Sequence, residues 1–309
     1  MALDSPLPEQ LVRRLAPDGL AIYLFHGVIA RQHHRVRNYT GKHLLADVFA
    51  ACMRALAKHG NALSMDEVLF HCESGNAVPP RAFAVTFDDG FANNLSVAAP
   101  ILADLDIPMT IYVTSGFVDA NGMSWIDRIE YAVEEAPDQE LVVDWSAERF
   151  PLREVGSRIA FLKAVRQHVK NDPRCDANSF ADDLCARLGK PGRLASDDPL
   201  DLKMTWKEVR AANEGEMITI GGHSHTHPIL SFLSAERLAG ELDTCLDLLL
   251  TRADVDPTHF SYPEGLAHCY SNTVIDELKK RGVRCSPTAI DGVNARGTDP
   301  FHLRRIMVA

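Results

Sequence analysis

Short apolar runs recur along this chain with stretches of helical periodicity between them, and that alternation restricts it to folds built on a largely parallel sheet or barrel. The strand candidates are AIYLF (21–25), AFAVTF (82–87), MTIYVT (109–114), MITIG (217–221), THFSY (258–262) and HLRRIMV (302–308). Several are apolar on both faces, as strands are when helices cover one side and a barrel interior the other. After Ser234, Leu238, Leu242, Leu246 and Leu249 fall on one helical stripe that should pack against the sheet. A second helix is expected after Ser271 as N-cap, with Lys279, Lys280 and Arg281 in its last turn and Gly282 closing it in the left-handed region.

One region breaks the rhythm. From about Asp119 to Asp201 the strand signals fade, and helical patterns occupy Asp127–Glu135, Leu152–Lys170 and Ser179–Leu188. Pro173, Pro191, Gly192 and Pro199 punctuate its latter half. The expected organisation is one domain over residues 1–309, a distorted (β/α) barrel of about seven strands, with a helical insertion at 119–201. An insertion leaving the C-terminal end of a parallel strand stands beside the face where such folds bind ligands.

Composition narrows the function classes. A chain of 309 residues with 46% hydrophobic content can bury a sizeable core. Its net charge of -10, without a clustered Lys/Arg patch, argues against nucleic-acid binding. The seven cysteines are scattered and form no Cys-x-x-Cys pair, which fits reduced, buried thiols better than a disulfide framework or a thiolate zinc site. The opening MALDSPLPEQLVRRLAPDG is polar and lacks a signal-peptide core, and no later segment has the length of a membrane span. A cytoplasmic location is therefore expected.

Chemistry is concentrated in two remote segments. Asp88 and Asp89 stand with Gly90 at the end of the AFAVTF run, and His223, His225 and His227 follow the MITIGG run before Pro228. Asp-Asp-Gly alone reads as a turn, with one Asp capping the next helix. Three histidines in five residues change that reading. One carboxylate and two imidazoles can hold a divalent cation, by default zinc, with cobalt, nickel, manganese or iron as alternatives. The second carboxylate can then serve as general base toward an acidified water. An extended segment would pair His223 with His225, whereas a helical turn pairs His223 with His227. The flanking glycines and proline favour the turn, so Asp89, His223 and His227 are the expected ligands and Asp88 the base.

These residues resemble the polysaccharide deacetylases with a NodB homology domain, carbohydrate esterase family four. TFDDG from Thr86 to Gly90 is identical to that family's first motif, and His223, Ser224 and His227 match its second, H-[ST]-x-x-H. The likeness extends from roughly residue 80 to 290, apart from the insertion. It implies a distorted barrel, the same division of roles among Asp88, Asp89, His223 and His227, and hydrolysis of an N-acetyl group from an amino sugar. The late motif that supplies the family's acid histidine has no match in HLRRIMV, whereas YLFHGV places His26 at the end of the first strand, similar to the circularly permuted members. His26 is therefore the expected acid. In FSYPEG the third motif keeps Pro263 and Gly265, but Ser261 stands where relatives carry Arg. Arg305 in the last strand is the candidate replacement, since Arg304 would face the other way.

Tyr262 and Pro263 of that turn are expected to contact substrate, as is Trp125, whose indole can stack on a sugar ring or alternatively anchor the insertion. The expected substrate is an N-acetylated nucleotide-linked, lipid-linked or other intracellular sugar. Two other readings compete: a silent carbohydrate-binding barrel that lost hydrolysis at the altered third motif, and a different metal-dependent amidohydrolase.

Overall fold

The computed structural model describes residues 6–190, 196–256 and 258–309, so Pro191 and Gly192 lie outside the described residues. Ten strands are present among them. They are β1 Leu20–Phe25, β2 Gly27–Ile29, β3 His43–Leu45, β4 Asn61–Ala62, β5 Ala82–Phe87, β6 Met109–Val113, β7 Gln139–Val142, β8 Arg149–Leu152, β9 Ile218–Gly222 and β10 Ile306–Met307. The chain divides into two compact units. The first holds residues 1–31, 42–121 and 203–309, and the second holds 32–41 and 122–202.

The first unit is an α/β fold on a six-stranded parallel sheet in the order β10-β1-β5-β6-β9, with β4 beside the start of β5. β1, β5 and β6 are buried along their whole length, which explains why their sequences run apolar without alternation. The register pairs Phe25 with Phe87 and Val113 with Gly222, so β1 ends level with β5 and β6 level with β9, and the residues that follow stand at one edge of the sheet. Ligands of parallel α/β folds bind at that edge.

The helices follow their sequence signals. In Ala235–Ala253 the buried positions include Leu238, Leu242, Leu246 and Leu249, the predicted stripe, and Ser234 caps it by accepting from the Arg237 N–H. Each fully buried leucine contributes roughly 1.5–3 kcal/mol through removal of apolar area from water. In Asn272–Lys280, Ser271 accepts from the Val274 N–H. Gly282 takes φ 88°, letting its N–H reach the Lys279 carbonyl and that of Val283 reach Leu278, the doubled bond that terminates a helix.

Two strand expectations need correction. THFSY is no ladder: Phe260 N–H bonds to Cys285 O while Ser261 N–H bonds to Gly222 O. An extended segment that alternates between two neighbours leaves only isolated bridges, Gly222 with Phe260 and His259 with Cys285. HLRRIMV shrinks to β10, because Arg304 N–H goes to the Asn294 side chain and Arg305 N–H to Ile290 O, away from β1. The sheet accordingly has six strands rather than about seven.

The second unit has its own core, in which Trp125, Ile129, Val133, Phe161, Leu162 and Leu184 are buried. Its helices Trp125–Glu135, Val155–Asn171 and Ala177–Arg187 match the helical periodicity. The reading of this stretch as purely helical missed an antiparallel hairpin, β7 with β8. Strands of four residues with alternate positions exposed leave too short a pattern to register against the helices on either side. Residues 32–41 join this unit through two helix carboxylates: Glu134 accepts from the N–H groups of Arg35 and Arg37, and Glu130 from that of Asn38.

Candidate metal centre

β5 delivers the aspartates. Asp88 N–H still bonds to Phe25 O at 3.0 Å, extending the ladder one residue past the strand. The chain then reverses, with Asp89 at φ 75° and Gly90 at φ 74°. A non-glycine residue in the left-handed region costs about 1–2 kcal/mol, which Asp tolerates better than most. The turn sends two consecutive carboxylates in different directions, Asp88 toward Arg305 and Asp89 toward the histidines. Downstream, the Asn93 side chain accepts from Val28 N–H and that of Asn94 donates to His26 O, fixing the end of β1 beside the aspartates.

β9 delivers the histidines. A Cβ on Gly221 would lie 2.8 Å from His259 O, and one on Gly222 2.8 Å from the Phe260 ring, so this strand end requires glycine for close approach. His223 N–H bonds to Val113 O at 2.9 Å. Its Nδ1 donates to Ser261 O at 2.8 Å, which leaves Nε2 with its lone pair free to ligate. Ser224 and His227 take φ 61° and 60°, and Ser224 Oγ accepts from His227 N–H at 3.0 Å. The resulting turn brings His223 and His227 to a ring separation of 4.9 Å. His225 instead directs Nδ1 to Ser115 Oγ at 2.9 Å.

Asp89, His223 and His227 each present one ligand atom, all within 4.8 Å of one another. Asp89 Oδ1 lies 3.8 Å from His223 Nε2 and 3.4 Å from His227 Nε2. That oxygen is buried and has no hydrogen-bond partner among the described residues. An unsatisfied buried carboxylate oxygen costs about 1–3 kcal/mol or more, and a cation bound between it and the two imidazoles removes that cost. The donor set therefore fits a divalent ion.

The surrounding charges set the two carboxylates apart. Arg305, fully buried, binds Asp88 through Nη1 and Nη2, both at 2.8 Å. Its remaining donors reach Ser261 Oγ at 2.8 Å, Thr288 O at 2.7 Å and Thr86 Oγ1 at 3.3 Å. Burial alone would push the Asp88 carboxyl up, but Arg305, with His223 and His26, outweighs it and holds the group below the usual range. Asp89 is also pushed up by burial. Lys42, whose Nζ sits 3.1 Å from Asp89 Oδ2, and His227 together bring it well below the ordinary value. Burial lowers both His223 and His26, the latter to about 4 despite the neighbouring Asp89.

Several expected site residues are placed otherwise. Tyr262 is fully buried, donates its hydroxyl to Phe301 O at 3.2 Å and stacks on Tyr270 at 4.4 Å, so it supports the turn rather than offering a face to substrate. Pro263 is buried in the same turn. Trp125 is 4% exposed within the core of the second unit, which leaves no open indole face for a sugar. Lys42 went unnoticed in the sequence, since GKHL carries no motif and lies far from TFDDG along the chain.

Comparisons with known proteins give the family and the fold. The polysaccharide deacetylase family model matches residues 75–286, more than half of the chain, and the protein belongs to that family. Among solved structures it is similar to the Streptococcus pyogenes deacetylase PplD in complex with acetate, at 15% identity and TM-score 0.60, covering 95% of this chain and 93% of that one. IcaB from Ammonifex degensii gives 15% identity, TM-score 0.59 and coverage of 96% and 94%. A de-N-acetylase from Aggregatibacter actinomycetemcomitans gives 15%, 0.59, 94% and 95%. At such identities the likeness shows the fold, the parallel α/β sheet that this family builds as a distorted barrel. No curated protein matches the chain in sequence.

Proposed function

We propose that this protein removes an N-acetyl group from an amino sugar, as a free or carrier-linked glycoconjugate precursor, using a divalent cation held by Asp89, His223 and His227. The observation that carries the reading is the buried, partnerless Asp89 Oδ1 facing two imidazole Nε2 atoms, with the Asp88 carboxylate 3.8 Å from His223 Nε2. When bound, a divalent ion supplies Lewis-acid polarisation of the acyl carbonyl and a more acidic water. Asp88 would accept the proton of the attacking water on its carboxylate. Arg305 keeps it ionised and aimed, and a carboxylate of lowered pKa suffices because the water is itself acidified. His26, at the end of β1, is the donor to the leaving amine, the place that the permuted members of the family give their acid. Burial lowers its pKa, so it would have to take up a proton before giving one to the amine.

Zinc is the first candidate cation, with cobalt, nickel, manganese and iron behind it. The seven free thiols, five of them buried, support a reducing compartment such as the cytoplasm. Among the described residues no helix is long and apolar enough to cross a membrane. The competing reading is a silent carbohydrate-binding barrel that lost hydrolysis at the altered third motif, and the guanidinium that Arg305 brings to Asp88 and Ser261 supports the hydrolase over it. The test is elemental analysis of the purified protein joined to an acetate-release screen over N-acetylated nucleotide sugars and short glycans. Full metal occupancy with saturable sugar binding and no acetate would sink the hydrolase reading.

A further inference from the structure

Between the two histidine ligands the backbone is gripped by a carboxylate from a helix that contributes no ligand. Glu241 Oε2 accepts from the N–H groups of His225 at 3.0 Å and Thr226 at 2.8 Å, and Oε1 accepts from the Thr226 hydroxyl at 2.6 Å. Hydrogen bonds to an ionised acceptor are roughly twice as strong as neutral ones. The helix behind this carboxylate, Ala235–Ala253, is anchored by Leu238 and Leu242, both buried, on either side of Glu241.

The opposite side of the turn is held by backbone. Ser115 N–H bonds to Ser224 O at 3.2 Å and Gly116 N–H to His225 O at 2.9 Å. A Cβ at Gly116 would lie 2.5 Å from His225 O, so that approach exists only with glycine. Within the turn, Ser224 and His227 both occupy the left-handed region. Non-glycine residues stay there only when their surroundings over-determine them. Ser115 and Gly116 fix the first half of the turn, and Glu241 restrains the two residues immediately before His227.

We infer that Glu241 is a positioning residue for the metal centre: its carboxylate holds the 223–227 turn so that the His227 imidazole reaches the same point as His223 and Asp89. This rests on the metal-dependent reading above and adds to it a determinant of cation affinity in the helix that follows the turn. Removing groups that orient metal ligands typically weakens binding about 10- to 100-fold.

The experiment compares wild-type protein, Glu241→Ala, Glu241→Gln and Thr226→Val, each stripped of metal and titrated with Zn2+ by competition calorimetry, with unfolding midpoints recorded before and after loading. Glu241→Ala is expected to bind Zn2+ about 10- to 100-fold more weakly and to show a smaller midpoint rise on loading. Glu241→Gln keeps an acceptor for both N–H groups and a donor for the Thr226 oxygen, so its affinity should stay near wild type. Thr226→Val removes a single bond and should weaken binding several-fold, which keeps the idea testable if Glu241→Ala does not fold. Equal Zn2+ affinity across the set, with midpoints lowered alike in metal-free and loaded forms, would mean a purely structural glutamate and overturn the inference. Failure of wild type itself to bind Zn2+ or any other divalent ion would overturn the metal reading instead.

Discussion

Arg305 and Asp88 meet as a paired fork, two guanidinium nitrogens on two carboxylate oxygens at 2.8 Å each, wholly inside the protein. Planar bidentate geometry fixes the carboxylate in rotation as well as position, which a lysine ammonium does not do. The same guanidinium also donates to Ser261 Oγ at 2.8 Å.

Asp88→Asn removes the proton acceptor while keeping the shape of the site and the three ligand residues. Zn2+ affinity should remain within a few-fold of wild type, and kcat for acetate release should fall by about 10² to 10⁴, the contribution of a positioned general base. Undiminished turnover would reassign the base.

Arg305→Met leaves a buried carboxylate without its counter-charge. Loss of one partner from a buried pair costs about 3–5 kcal/mol, readable as a lower urea midpoint of the metal-free protein at pH 7. The folded Asp88 pKa lies below its unfolded value of about 4. The pairing therefore stabilises fully above about pH 4 and is lost as pH falls through the lower folded value. The gap between wild type and variant should narrow from pH 7 toward pH 3. A gap independent of pH would show that Asp88 is not the group being held.

Ser261→Arg puts a second guanidinium where Arg305 already makes five bonds, and both activity and stability should drop. Combining it with Arg305→Leu restores one guanidinium near Asp88 from the position that relatives use. The double variant should therefore release acetate faster than Ser261→Arg alone. Additive losses in the two changes would argue that the residues do not share a site.

Stripping divalent ions should lower the unfolding midpoint, because a ligand at a thousand times its Kd contributes about 4 kcal/mol. His227→Ala should abolish that dependence on metal while leaving the metal-free midpoint nearly unchanged. A chelator-insensitive midpoint in wild-type protein would leave the partnerless Asp89 oxygen without an explanation.

Much of this was legible in the chain itself. The AFAVTF run, buried on both faces, announced its strand, and the leucine stripe after Ser234 announced its helix. The ligand turn was readable because glycines before it and a proline after it excluded a straight strand. Arg305 was reachable only through the odd Ser261, since 217 residues separate it from Asp88 and it stands just before a strand only two residues long. Lys42 and Glu241 gave no signal at all, for one sits in an unpatterned loop and the other is one acid among several on an amphipathic helix. Tyr262 and Trp125 are both buried, since a large ring satisfies a core as readily as a sugar.

Arg305 stands immediately before β10, which pairs with β1 alone at the margin of the sheet, through Tyr23 with Ile306 and Leu24 with Met307. Margins of a sheet fray at lower free energy than its centre. The residue that holds Asp88 thus adjoins a margin of the sheet, and warming is expected to loosen it, and with it the proposed turnover, while the bulk of the helices and their circular dichroism persist. Amide exchange at Ile306 and the onset of inactivation should then share a temperature, well before the global melt.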